Sequence, residues 1–292
     1  DTYKPDIIVA ANLFDEAEIQ LVREAKIRGI QTIGFINSWD KTTARSGLRV
    51  FPDRFIVFNQ QVRDELVRYH GADSETIFVG GIPQYDQYMI RTPASRDVFF
   101  KRIGIDPKMR LIVYSPLGGT FWLGDWAMID LLHSMVSGGK LGADTALLVR
   151  FPPNEFVSEK ELADRPWLYY DYPGVRFSTS RGSDWDMTFA ELAHLSDTLA
   201  HMSLLVCFAS SISVDAAVLD RPVININFAL EKNVRFGGFT VHQLYMLTHY
   251  RTALASGGII LADNADALVA QAQQYLAHPE QDREGRERLA RE

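Results

Sequence analysis

Residues 208–224 read FASSISVDAAVLDRPVI. They follow the apolar run LLVCFA (204–209), which has the length and composition of a buried strand. Three closely spaced hydroxyls, Ser210, Ser211 and Ser213, come next, and the spacing then turns helical with Asp215 in the first turn. A strand passing straight into a helix through a short polar turn is half of a βαβ unit, so the turn lies beyond the carboxyl end of a parallel strand. Ligands of open parallel sheets sit there. First-turn amides and the helix dipole stabilise an anion, and serine hydroxyls add donors, so a phosphate or diphosphate suits the turn. Asp215 is an acceptor for the hydroxyls of a ribose. Local chemistry also fits a plainer reading, in which Ser211 or Ser213 is an N-cap and Asp215 complements the dipole.

Outward from this stretch, short apolar runs alternate with amphipathic segments. The first series reads IIVAA (7–11), a helix around EAEIQLVREAKIRG, QTIGFIN, RFIVFN, a helix QQVRDELVRYHG and TIFVGG, with Gly29 and Gly71 as left-handed helix caps. A polar, hinge-like RTPASRD (91–97) precedes the second: LIVYSP (111–116), ALLVRF (146–151), VRFSTS (175–180), LLVCFA, PVINI (222–226) and GGIILA (257–262). The pattern predicts an α/β protein of two Rossmann-like domains with parallel sheets. Residues 1–92 read as the later part of a first domain whose opening strands are missing. Residues 93–278 read as a complete doubly wound domain, and the charged run 279–292 as a frayed, solvated helical tail.

The 292 residues are 47% hydrophobic and carry a net charge of -7 with a pI near 5.5. That balance supports a sizeable core and gives no electrostatic reason to bind a nucleic-acid polymer. Cys207 cannot form an internal disulfide, and its apolar setting reads as a buried, inert thiol of a reducing compartment. No apolar run reaches the roughly 18 to 20 residues that span a bilayer, and the first residues lack the basic-then-apolar order expected of a signal peptide. The expectation is a cytoplasmic protein, with peripheral contact with the inner membrane left open. GxSxG and GxxxxGK[ST] are absent, which argues against an α/β-hydrolase and a P-loop enzyme. No His, Cys or carboxylate cluster has zinc-like spacing, and the acidic pair in GSDWDMT (182–188), spaced as in metal-dependent transferases of another fold, is discounted.

The loop SPLGGT (115–120), the stretch SSISVDAAVLDRPVI and the closing GGIILADNADALVAQAQQYLAHPE together resemble the donor-binding half of GT-B glycosyltransferases. The nearest groups are CDP-glycerol glycerophosphotransferases, surface-polysaccharide transferases and the nucleotide-sugar 2-epimerase-like clan. NSWDKTT (37–43), PDRFIVFN (52–59) and VGGIPQYDQY (79–88) are similar to the acceptor side of such enzymes. The resemblance implies that Ser210, Ser211 and the amide of Ile212 meet the donor diphosphate and that Asp215 meets the ribose. Ser115, Gly118, Gly119 and Thr120 would line the cleft near the transferred group, while Arg150 and Arg251 would face phosphate. Two departures stand out: Asp215 replaces the usual Glu, and RFPP (150–153) replaces the usual His-Pro pair. A nucleotide-activated donor of UDP or CDP type is the implied substrate, with no cofactor and no metal.

Inverting transfer needs a base for the acceptor hydroxyl, for which the resemblance points to Asp40, in the SWDKTT loop; His249, a further catalytic candidate, would contact the diphosphate or the acceptor. The same residues also fit loop ordering and a structural histidine. GSDWDMT (182–188) reads as an N-cap, Asp184 or Asp186, for the helix MTFAELAHL; contacts near FSTSRGSD (177–184) bear on the choice of base. His133, His194 and His201 fall on helical segments. The leading expectation is a metal-independent, inverting glycosyltransferase passing a sugar or polyol phosphate to a cell-surface glycan or lipid-linked acceptor. The alternatives are a nucleotide-sugar 2-epimerase, for which the sequence shows no convincing carboxylate set, and a noncatalytic nucleotide-sugar-binding subunit.

Overall fold

The computed structural model describes residues 3–44, 47–119, 121–176, 185–231, 236 and 238–292. The chain divides into two units, one of residues 1–86 with 247–249 and 292, the other of 87–246 and 250–291.

In the first unit β1 (Ile7–Ala10), α1 (Glu16–Ile27), β2 (Gln31–Phe35), α2 (Lys41–Ala44), β3 (Arg54–Val57), α3 (Gln60–Glu65) and β4 (Ile77–Val79) alternate. The strands form a parallel sheet in the order β1-β2-β3-β4. Asp15 starts α1 by accepting the Ala17 amide at 2.9 Å, and Gly29 ends it at φ 70. Asn59 caps α3 through the Val62 amide at 3.0 Å. The chain then widens into a π turn, Leu66–His70, closed by Gly71 at φ 73. Ile19 and Val22, one helical turn apart, pack on Ile36, Phe55, Val57, Val62 and Leu66.

The helix α4 (Pro83–Ile90) leads into the second series: α5 (Arg96–Ile103), β5 (Arg110–Ser115), α6 (Asp125–Ser137), β6 (Thr145–Arg150), α7 (Glu159–Ala163) and β7 (Tyr169–Asp171). A two-residue antiparallel pair follows, β8 (Val175–Arg176) with β9 (Trp185–Asp186). Then come α8 (Phe189–His201), β10 (Leu204–Cys207), α9 (Ile212–Val218), β11 (Val223–Ile226), α10 (Val241–Tyr245), α11 (Thr248–Ala255), β12 (Ile260–Ala262), α12 (Ala265–Ala277) and α13 (Arg283–Arg291). Six parallel strands stand in the order β12-β11-β10-β5-β6-β7. Every residue of β10 and β11 is buried, as strands covered on both faces require. No helix among the described residues is long and apolar enough to cross a membrane.

Three expectations change. Among the described residues, Val175–Arg176 of VRFSTS pairs with β9 and not with this sheet, whose edge strand is β7; residues 177–180 lie outside the described ones. Three residues with two half-exposed tyrosines, Tyr169 and Tyr170, carry too little periodicity to be read. Asp186 does not cap α8; Thr188 does, in a capping box with Glu191, and Asp184 lies outside the described residues.

The charged tail is not frayed. Gly285 packs on Gly257 and Gly258, where a Cβ would overlap backbone, and Arg286 is fully buried. Its guanidinium donates to Asp220 at 2.9 Å and to the carbonyls of Gln281 at 2.6 Å and Pro279 at 2.8 Å. These acceptors replace water, which is the condition for burying a charge.

Candidate nucleotide-binding site

Strands β5 and β10 are neighbours, with Cys207 beside Ser115 at their carboxyl ends. From β5 the chain runs outward through β6 and β7, and from β10 outward the other way through β11 and β12. The loops after β5 and β10 therefore flank the topological switch point, where a doubly wound sheet leaves a crevice.

The turn after β10 rests on a buried polar cluster. Tyr250 presents its hydroxyl 2.9 Å from Asn225 Oδ1 and 3.0 Å from Ser213 Oγ, and it accepts the Ser210 amide at 3.2 Å. The Asn225 amide nitrogen lies 3.0 Å from the Phe208 carbonyl and 3.1 Å from Ser213 Oγ. Ser213 is thus committed inside, also touching Cys207 Sγ at 3.2 Å, and is no donor to a guest. Burial pushes the Cys207 thiol up to about 12, leaving it inert as its sequence setting implied. Ser210 and Ile212 are partly exposed and Ser211 is exposed. No side chain caps α9, so the N-cap reading of Ser211 or Ser213 does not hold here. Asp215 is 6% exposed and accepts the Tyr88 hydroxyl at 3.3 Å.

The loop after β5 is organised differently from the open glycine turn expected. Asp125, in the first turn of α6, accepts the amides of Gly118 at 2.8 Å and Leu117 at 3.3 Å, and the Tyr114 hydroxyl at 3.0 Å. Burial raises Asp125 from the usual 3.8 to about 6, against those three hydrogen bonds, with Glu155 adding a smaller push upward. Gly118 sits at φ 94 with the Glu155 carboxyl against it, so its glycine answers to backbone and packing. Gly119 faces open space, and Ser115 is partly exposed. Thr120 lies outside the described residues.

Arg150 is corrected as an open phosphate contact. It is 5% exposed and pairs with Asp171 at 3.1 Å, because it ends a fully buried strand beside an acid of the next one. The pair begins a chain of shared ions. Asp171 also meets His194 Nε2 at 3.0 Å, and Arg102 reaches His194 Nδ1 at 3.1 Å and Asp197 at 3.2 Å. Arg91 meets the other oxygen of Asp197 at 2.6 Å, and the Ala94 amide meets that oxygen at 2.9 Å. Burial alone would raise Asp171 and Asp197; hydrogen bonds and charge from His194 and Arg150, and from Arg91 and Arg102, outweigh it and lower both. His194 therefore has a definite task, and the hinge-like stretch is pinned. Arg251 is exposed.

In the first unit, Ser38 donates to the Asp40 carboxylate, while the Asp40 carbonyl accepts the Ala44 amide at 2.7 Å. The adjacent Trp39 meets His249 edge-to-face, centroids 4.9 Å apart, and His249 is 8% exposed. His249 is thus brought beside the loop that carries Asp40. Stretch 177–184 lies outside the described residues. Two cavities, about 480 and 280 Å³, open elsewhere: beside α13 near Gly257 and Arg283, and between His133, Trp167 and the start of β6.

Asn225, Tyr250, Tyr88, Asp125 and Glu155 escaped the sequence reading. A polar residue inside the apolar PVINI was a usable signal for Asn225, as was an acid in the first turn after β5 for Asp125.

No protein-family model matches the sequence. A curated relative, the UDP-N,N'-diacetylbacillosamine 2-epimerase (hydrolyzing) of Legionella pneumophila, is 25% identical over 172 residues, 58% of this chain and 41% of that protein. The match thus spans about two fifths of its length. Among solved structures, a Listeria monocytogenes protein assigned as a UDP-N-acetylglucosamine 2-epimerase superposes with a TM-score of 0.63 at 14% identity, over 97% of this chain and 69% of that one. The UDP-GlcNAc 2-epimerase of Neisseria meningitidis bound to UDP-GlcNAc gives 0.60 at 11%, over 97% and 70%. The wall teichoic acid polymerase TagF with CDPG gives 0.54 at 15%, over 97% and 66%. The chain has the GT-B fold, shared with the solved UDP-N-acetylglucosamine 2-epimerases and the wall teichoic acid polymerase.

Proposed function

We propose that this chain belongs to an enzyme acting on a nucleotide-activated sugar or polyol phosphate, whose diphosphate sits on the Ser210–Ile212 turn with Asp215 toward the ribose. The observation that carries this reading is the turn itself: uncapped, partly exposed, at the switch point and braced from beneath by Tyr250 and Asn225. The reaction we assign is transfer of the activated group to a cell-surface glycan or lipid-linked acceptor. Asp40, with His249 close to its loop, takes the acceptor's proton as the new bond forms, and the turn's amides take the charge of the leaving group: the nucleoside diphosphate where a sugar's bond to it breaks, the nucleoside monophosphate where a polyol phosphate is transferred and the P–O–P bond breaks. Ser115, Gly119, Thr120 and Arg251 are assigned to the neighbourhood of the donor.

Epimerisation at C2 is the second reading. Two observations favour it: the relatives named as 2-epimerases, and two buried acids, Asp125 and Glu155, on either side of Gly118. Calorimetric titration with UDP, CDP, GDP, dTDP and ADP tests the shared part. One nucleotide should bind selectively, and Ser211→Ala with Asp215→Ala should weaken it about tenfold or more. Unchanged affinity in that double variant would remove the site. Incubation with UDP-N-acetylglucosamine, watched by proton NMR for the 2-epimer, separates the two reactions.

A further inference from the structure

Helices α5 and α8 pack together, and a histidine joins them. His194, on α8, has Nε2 3.0 Å from Asp171 Oδ1 of β7 and Nδ1 3.1 Å from Arg102 Nη1 of α5. The two partners are opposite in kind: a guanidinium offers donors and no acceptor, whereas an ionised carboxylate offers acceptors and no donor. Asp171 is ionised, because hydrogen bonds and charge from His194 and Arg150 outweigh burial and lower it. Nδ1 therefore meets Arg102 through its bare lone pair, and Nε2 carries the hydrogen that Asp171 accepts. The neutral imidazole satisfies both neighbours. The imidazolium is a donor at both nitrogens, so it suits Asp171 and opposes Arg102.

The remaining charged groups around the ring are already committed. The second oxygen of Asp171 takes Arg150 of β6 at 3.1 Å. Asp197, on α8 and fully buried, takes the same Arg102 nitrogen at 3.2 Å through one oxygen, and Arg91 with the Ala94 amide through the other. Glu191, one helical turn back on α8, accepts the amides of Gly174 at 2.6 Å and Thr188 at 2.8 Å. The Phe99 ring of α5 covers the imidazole at 5.8 Å between centroids, with His201 stacked on the same phenyl ring at 5.2 Å and bonded to the Ala94 carbonyl. The His194 side chain is 19% exposed and that of Arg102 42%, so a proton can arrive from water and the guanidinium can turn toward it.

We propose that His194 is a proton-operated clasp between α5 and α8: neutral, with its hydrogen on Nε2, it accepts Arg102, and a proton taken from water onto Nδ1 breaks that bond, keeps Asp171 and leaves Arg102 on Asp197 alone. Long-range proton–nitrogen NMR of the isotope-labelled full chain distinguishes the two imidazole tautomers and tests the clasp between pH 8 and pH 5, with His194→Gln assigning the signals. At pH 8 His194 should show a bare Nδ1 and a protonated Nε2, and acidification should add the hydrogen at Nδ1. Arg102→Ala should raise the midpoint of that titration by about one unit, since the cation beside Nδ1 is gone. By linkage, the factor by which Arg102 raises the folding equilibrium constant in urea unfolding should then fall about tenfold from pH 8 to pH 5. A hydrogen on Nδ1 at pH 8, a mixture of the two tautomers, or a midpoint that Arg102→Ala leaves unmoved overturns the clasp. The tautomer is read in the unaltered protein, so a folding defect of Arg102→Ala does not decide the matter.

Discussion

Asp125 offers the sharpest test of the site's electrostatics. Its folded value of about 6 lies above the 3.8 of an ordinary aspartate, so the folded state holds this proton more tightly than the unfolded chain. The sign follows. Its contribution to stability is fully present below the unfolded value and is lost as pH rises through about 6. Between pH 4 and pH 8 the loss is about 2.5 kcal/mol. Asp125→Asn removes that dependence. The amide keeps an acceptor for Tyr114 and Leu117 but turns an NH2 toward the Gly118 amide, a pH-independent penalty of about 1–3 kcal/mol. Urea unfolding of both proteins at pH 4, 5, 6, 7 and 8 gives the stability difference at each pH, and titrations common to both cancel. The variant should be much the weaker at pH 4 and close to parity at pH 8. A difference flat across this range to within about 1 kcal/mol would refute the assignment of a buried, proton-retaining carboxyl.

Three further substitutions probe neighbouring features, each read by chemical denaturation. Tyr250→Phe strands Asn225 Oδ1 and the Ser210 amide, while Ser213 Oγ keeps Asn225 and Cys207, and should cost about 2–3 kcal/mol; calorimetry should also show weaker nucleotide binding. Arg286→Ala removes a fully buried guanidinium with its bonds to Asp220 and the Gln281 and Pro279 carbonyls and should cost about 3 kcal/mol, with Arg286→Lys recovering only part because one ammonium lacks the fork geometry. Gly118→Ala meets both a φ of 94 and the Glu155 side chain, and should cost about 3 kcal/mol.

The fold was legible because its strands are continuous apolar runs. LIVYSP, ALLVRF, LLVCFA and PVINI all mark strands of the six-stranded sheet, and Gly29 and Gly71 mark helix ends as expected. The edge strand Tyr169–Asp171 was not legible, since a half-exposed three-residue strand has no run to show. At the site, sequence located the serine turn but not what holds it. Tyr250 reaches Ser210 across forty positions of sequence, and no local pattern records such a contact. Arg150 and the tail misled for one reason: charge was read as a demand for water or for a ligand, whereas Asp171, Asp220 and main-chain carbonyls meet it inside the fold.

The chain of hydrogen bonds and ion pairs from Arg91 through Asp197, Arg102, His194 and Asp171 to Arg150 has a bearing on local opening. Each interior member serves two neighbours, so no single link can part without exposing charge in the next. The stretch after α4, the helices α5 and α8, and the ends of β6 and β7 are then expected to open together, as one cooperative block in hydrogen exchange. Arg91 and Arg150 share no partner, yet their substitutions would not add.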